Sequence, residues 1–251
     1  MAKPPLLAVI EPVANNRFGA AKFARFWALY CFLPLNIFIS ASLPTFHLSF
    51  WHIDQKKVFA EICATPYRQD GVTFHTETLR TYDIAAEKKY PGVRLSLSAS
   101  IDTIRQDISM DIGFGDVVIP CPSELDYPNL IDGVPAINIL AYSLETVIAE
   151  KFQTVIARAE ANSRMKDFYD LYTILQEGKY DSVVLSEAIN ATFENRQTAY
   201  MDNHTVFSLD FANNTDLNIR WNSFVNKLRI QQKLTFPEVV CCLQAKLEPY
   251  W

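Results

Sequence analysis

Residues 93–112 read VRLSLSASIDTIRQDISMDI, and the pattern in this stretch decides the fold class. Val93, Leu95 and Leu97 alternate with Arg94, Ser96 and Ser98, the two-residue period of a strand with one buried face. A second alternating run follows, in which Ile104, Ile108, Met110 and Ile112 form the apolar side and Arg105, Asp107, Ser109 and Asp111 share the other. The two runs are expected to pair antiparallel. Gly113 and Gly115 end the second, so Asp111 falls at its C-terminal end, where a sheet commonly opens onto its site.

Upstream, Lys56–Ala64 places Val58, Phe59 and Ile62 on one side of a helix. Asp70-Gly71 then turns the chain into a short strand holding Val72 and Phe74, and Pro91-Gly92 is the next turn. Downstream the pattern becomes helical. Ser143 can cap a helix striped by Leu144, Val147, Ile148, Phe152, Val155 and Ile156. Lys151 lies within that stripe, with Arg158 seven residues on, pointing the same way. Two readings of Lys151 stand: a side chain that snorkels at the stripe's edge, or a buried ammonium that requires a carboxylate or phosphate partner.

A second helix begins near Asn162-Ser163, with Met165, Phe168, Tyr172 and Leu175 inside and Arg164, Lys166, Asp167 and Asp170 on the opposite or flanking side. These charges fit a solvated face of helix neighbours. Lysine before aspartate is the less favourable order for such a pair, however, so a second role is equally open. Further helices are expected around Ser186–Phe193 and Leu217–Leu228 and from Pro237. The expected class is α+β: a small mixed sheet with flanking helices, then a mostly helical half.

Composition narrows the function classes. The 251 residues include 23 Lys+Arg and 28 Asp+Glu, a formal charge of −5, which excludes a globally basic nucleic-acid binder but leaves room for a local basic site. Cys31, Cys63, Cys121, Cys241 and Cys242 show no metal-ligand spacing, which suits a reduced, cytosolic chain. Cys241 and Cys242 read as buried small hydrophobes, and the four scattered histidines as surface or satisfied core residues. No glycine-rich phosphate loop and no internal repeat occurs.

The first 53 residues differ from the rest. They carry Lys3, Arg17, Lys22 and Arg25 against Glu11 alone, a net +3, and Phe26–Ile53 holds no charge. Its length would permit a membrane span, but Pro34, Pro44, Asn36 and several serines interrupt it, and none is expected. Three segments result: 1–53, apolar and without clean periodicity; 54–140, the sheet region; and 141–251, the helical half.

Arg164-Met165-Lys166-Asp167-Phe168-Tyr169-Asp170-Leu171, preceded by Leu144–Lys151, resembles the AbiEii/AbiGii toxin family of nucleotidyltransferases. The similarity extends to Asp111–Asp116 and Phe59–Cys63, covering roughly residues 56–250. It implies a core of the DNA polymerase beta-type superfamily and a toxin of type IV toxin–antitoxin or abortive-infection systems, cytoplasmic and paired with a winged-helix antitoxin. The implied chemistry is Mg²⁺-assisted transfer of a nucleotidyl group from a nucleoside triphosphate to an acceptor such as transfer RNA. On this resemblance Asp111 is a metal ligand and Lys151 a phosphate contact. Arg164 and Lys166 bind the triphosphate, Asp167 or Asp170 orients Lys151, and Arg158 is a further nucleotide contact.

The chain departs from the family at its start. The expected glycine pair and the Asp-x-Asp that follows it are missing: residues 1–53 hold no aspartate and one glycine, Gly19. Catalytic metal should therefore bind poorly, and the segment is expected to replace the family's own N-terminus through a frameshift or wrong start. The alternative to an enzyme is a non-catalytic remnant that retains nucleotide or antitoxin binding.

Overall fold

A computed structural model describes residues 39–41, 55–64, 71–84, 92–114, 116–127, 137–228 and 234–251. Nearly all of the first 53 residues, and with them the apolar stretch considered as a span, lie outside this set. Among the described residues no helix is long and apolar enough to cross a membrane.

The described chain divides into two compact units, one holding residues 118–121 and 142–251 and the other the sheet region up to Val117 together with Pro122–Ala141. The sheet unit contains β1 (Ile39–Ala41), α1 (Gln55–Ala64), β2 (Val72–Ile84), β3 (Gly92–Ile101) and β4 (Ile104–Phe114). The strand order is β1-β4-β3-β2, with β1 parallel to β4 and the other neighbours antiparallel, so the sheet is mixed as expected. A separate ladder joins β5 (Ser123–Tyr127) to β6 (Ile137–Ala141).

Alternation determines which face is buried. Val93, Leu95, Leu97 and Ala99 of β3 and Ile108, Met110 and Ile112 of β4 form a core with Val72 and Leu79 of β2 and Cys63 of α1. Ile104, expected on the apolar side, is exposed where β4 begins at the hairpin. Gly92 is required by the close approach of β3 to β4, because a Cβ there would sit 2.7 Å from the Ile112 carbonyl oxygen.

The strand after Gly71 is longer than expected, at thirteen residues. Its register slips between His75 and Arg80, which breaks the two-residue period by which a strand is recognised. Thr78 pins the bulge: its hydroxyl donates to the His75 carbonyl (2.6 Å) and accepts from the Ser98 amide (2.8 Å).

The other unit is helical: α2 (Leu144–Arg158), α3 (Met165–Glu177), α4 (Ser182–Asn195), the short α5 (Leu209–Ala212), α6 (Thr215–Leu228) and α7 (Phe236–Leu247). The Ser143 hydroxyl caps α2 by accepting from the Thr146 amide, and Thr235 with Glu238 forms a reciprocal capping box on α7. Phe152, Phe168, Leu185, Trp221 and Phe236 are almost completely buried. Phe236 is central, packing edge-on to Phe168 at 5.3 Å and against Trp221 at 5.8 Å. The cysteine pair is split, with Cys242 buried and Cys241 exposed, because successive residues on a helix point about 100° apart.

Candidate functional site

The α2 stripe and the start of α3 build one polar cluster inside the helical unit. Lys151 follows from the capped start of α2: neighbouring Phe152 and Val155 anchor the helix in the core, and Lys151 is carried to the stripe's edge with its side chain 12% exposed. Its ammonium lies 2.8 Å from Asp167 Oδ1 and 2.9 Å from Asp170 Oδ2. The two aspartates are nearly closed to solvent, so they do not form the solvated face that the helix spacing allowed. Burial alone would lower the Lys151 pKa, but the charges of Asp170 and Asp167 outweigh it and hold the group above its ordinary value.

Two outer cations complete the cluster. Lys166 Nζ donates to Asp170 Oδ2 at 2.7 Å, and Arg164 Nε lies 3.3 Å from Asp167 Oδ2. Both side chains remain substantially exposed, at 57% and 42%. Three cations thus surround two buried anions within the first two turns of a thirteen-residue helix, near an end whose amides and dipole already favour negative ligands. Of the expected site residues, Lys151, Arg164, Lys166, Asp167 and Asp170 come together. Arg158 does not join them. It ends α2, exposed, roughly 10 Å further along the helix axis, and makes no ion pair among the described residues.

Two further residues outside the expected site support the cluster. Asn162 is fully buried, and its Oδ1 accepts from the Arg164 amide at 2.9 Å, setting the chain direction as it enters α3. Arg220 of α6 donates to the Glu160 and Asn162 carbonyls, each at 3.2 Å, and clamps the same linker. Asn162 was legible as a residue suited to helix starts, whereas Arg220 lies 58 residues away and left no local signal.

Asp111 belongs to the sheet unit, and its surroundings differ from the expectation. It pairs across the ladder with Arg94, whose Nε donates to Oδ1 at 2.6 Å and whose second nitrogen donates to Oδ2 at 2.7 Å. Both carboxylate oxygens are therefore engaged, and the hydrogen bond and charge of Asp111 raise the Arg94 pKa above its ordinary value. Mg²⁺ requires near-octahedral oxygen ligation. Among the described residues no group of three or more His, Cys, Asp or Glu side chains could hold a metal ion. The described donor set does not fit the pair of divalent ions.

The chain belongs to a known family. The model for "Nucleotidyl transferase AbiEii toxin, Type IV TA system" matches residues 37–241, most of the chain. No curated relative matches. Among solved structures, JHP933 from Helicobacter pylori is similar at 12% identity and a TM-score of 0.44, over 99% of this chain and 84% of that one. A candidate nucleotidyltransferase, also from H. pylori, aligns at 11% identity and a TM-score of 0.40 over 96% of each chain. The family is the toxin member of type IV toxin–antitoxin systems, which implies an antitoxin partner.

Proposed function

We propose that this chain is a nucleotidyltransferase-like toxin protein that takes a nucleoside triphosphate at the start of α3. Arg164 and Lys166 contact the phosphates, and Lys151 supplies one remaining N–H while its other two hold the aspartates. Asp167 and Asp170 fix the cation geometry, and Arg158 offers an outlying contact. The acceptor that receives the nucleotidyl group is an RNA, with transfer RNA the first to test. The partner is a winged-helix antitoxin, and the compartment is the cytoplasm. The observation that supports this reading is the caged Lys151, whose buried aspartates hold Arg164 and Lys166 at a helix N-terminus.

A second reading, binding without transfer, is favoured by the engagement of both Asp111 oxygens with Arg94. Labelled triphosphates, Mg²⁺ and transfer RNA incubated with the full chain separate the two. Label on the RNA that falls sharply in Arg164→Ala/Lys166→Ala, whose aspartates Lys151 still holds, supports transfer. Tight triphosphate binding with no label at any Mg²⁺ concentration supports the second reading.

A further inference from the structure

We propose that Arg94 is the resident cation of Asp111, held there in place of a divalent metal ion. Each carboxylate oxygen accepts a charge-assisted hydrogen bond, at 2.6 and 2.7 Å, in the two-pronged geometry that suits guanidinium, which takes one lone pair on each oxygen and fixes a positive charge where a metal ion would otherwise approach. Arginine cannot escape by losing its proton, so neutral pH does not release the carboxylate. The ladder holds the pair in place, because Arg94 and Asp111 are direct partners in the β3–β4 register.

The described neighbouring positions give a competing ion little to bind. On the same face the adjacent rows are Gly92 with Gly113, which carry no side chain, and Ser96 with Ser109, which are neutral hydroxyls. The next carboxylate along that face of β4 is Asp107, four residues away or roughly 13 Å at strand spacing, and it accepts a hydrogen bond from the Ser98 hydroxyl. Carboxylates that share an ion must each reach within about 2.0–2.6 Å of it. Among the described residues Asp111 is thus left with one strong partner, the Arg94 guanidinium.

Mn²⁺, a hard cation with a paramagnetic signal, is the probe, and free Mn²⁺ is counted by electron paramagnetic resonance in the presence of the full chain. The wild type is expected to show no site that Asp111→Asn removes. Arg94→Gln should gain only weak Mn²⁺ binding, because the freed Asp111 carboxylate is the one anionic ligand there among the described residues, and the double variant Arg94→Gln/Asp111→Asn should lose it again. Arg94→Lys is the second variant, for use if the glutamine form unfolds: it keeps the charge but only one of the two bonds, and should admit Mn²⁺ weakly. Wild-type binding that depends on Asp111, or no gain in either Arg94 variant, overturns the proposal. The readout needs no nucleotide, so it stands or falls separately from triphosphate binding at α3.

Discussion

The Lys151 ammonium lies 2.8 Å from Asp167 Oδ1, although sixteen residues separate the two in sequence. Their meeting requires α2 to end, the chain to pass through the Asn162 linker, and α3 to run back against α2. The same contact explains why a lysine is tolerated beside a buried stripe and why two aspartates are tolerated inside a helix face. Each would be costly alone, and together with Asp170 they neutralise most of the local charge.

Lys151→Met should therefore destabilise the helical unit by about 3–5 kcal/mol, because two buried carboxylates lose their shared counter-ion. Lys166→Ala should cost no more than about 1 kcal/mol, since that side chain is largely exposed. Urea unfolding of both variants checks the contrast. Equal losses would mean that water reaches the aspartates freely.

Trp221→Phe probes the helical core through one hydrogen bond. The indole Nε1 donates to the Leu234 carbonyl at 2.8 Å, and the ring is fully buried against Phe236. Phenylalanine leaves that carbonyl without its donor, so a loss of about 1–3 kcal/mol is expected in denaturant melts. An unchanged midpoint would show that the carbonyl finds another donor.

Gly92→Ala tests the approach of β3 to β4. The added methyl would sit 2.7 Å from backbone at Ile112, which cannot move aside as a side-chain tip can. The strands must shift, at a cost of about 1–3 kcal/mol, and amide exchange in β4 should speed up. Exchange rates equal to those of the wild type would contradict this packing.

A pH dependence follows from His204. Burial holds its pKa below the ordinary 6.5 against the opposing pull of Glu160, and its Nδ1 accepts from the Val206 amide at 3.3 Å, which only the neutral ring can do. The folded value is the lower one, so the unfolded chain takes up the proton first. This contribution to stability is complete above pH 6.5 and is lost as pH falls through the folded value. His204→Asn keeps an acceptor but does not titrate. Its urea midpoint should fall less than that of the wild type between about pH 7.5 and 5.5.

Much of this was legible in the sequence because it is local. Alternation in 93–112 gave the antiparallel pair, and Ser143 with its stripe gave α2. The length of β2 was hidden because its bulge resets the alternation between Val72 and Leu79. Within the site, spacing brought Arg164, Lys166, Asp167 and Asp170 onto neighbouring positions, but burial of the aspartates depends on how α3 lies on α2, which no helix period encodes. The Arg94–Asp111 pair could have been read. A two-residue turn after Ile101 fixes which positions face each other, and both residues were already placed on the polar side of their strands.

The most direct test of the central claim is equilibrium binding of a fluorescent nucleoside triphosphate to the full chain and to Arg164→Ala/Lys166→Ala. Loss of two exposed phosphate contacts should weaken binding at least about tenfold, with the unfolding midpoint nearly unchanged because Lys151 still holds both aspartates. Equal affinity in the wild type and the double variant, or no triphosphate binding by the wild type, would contradict a nucleotide site at the start of α3.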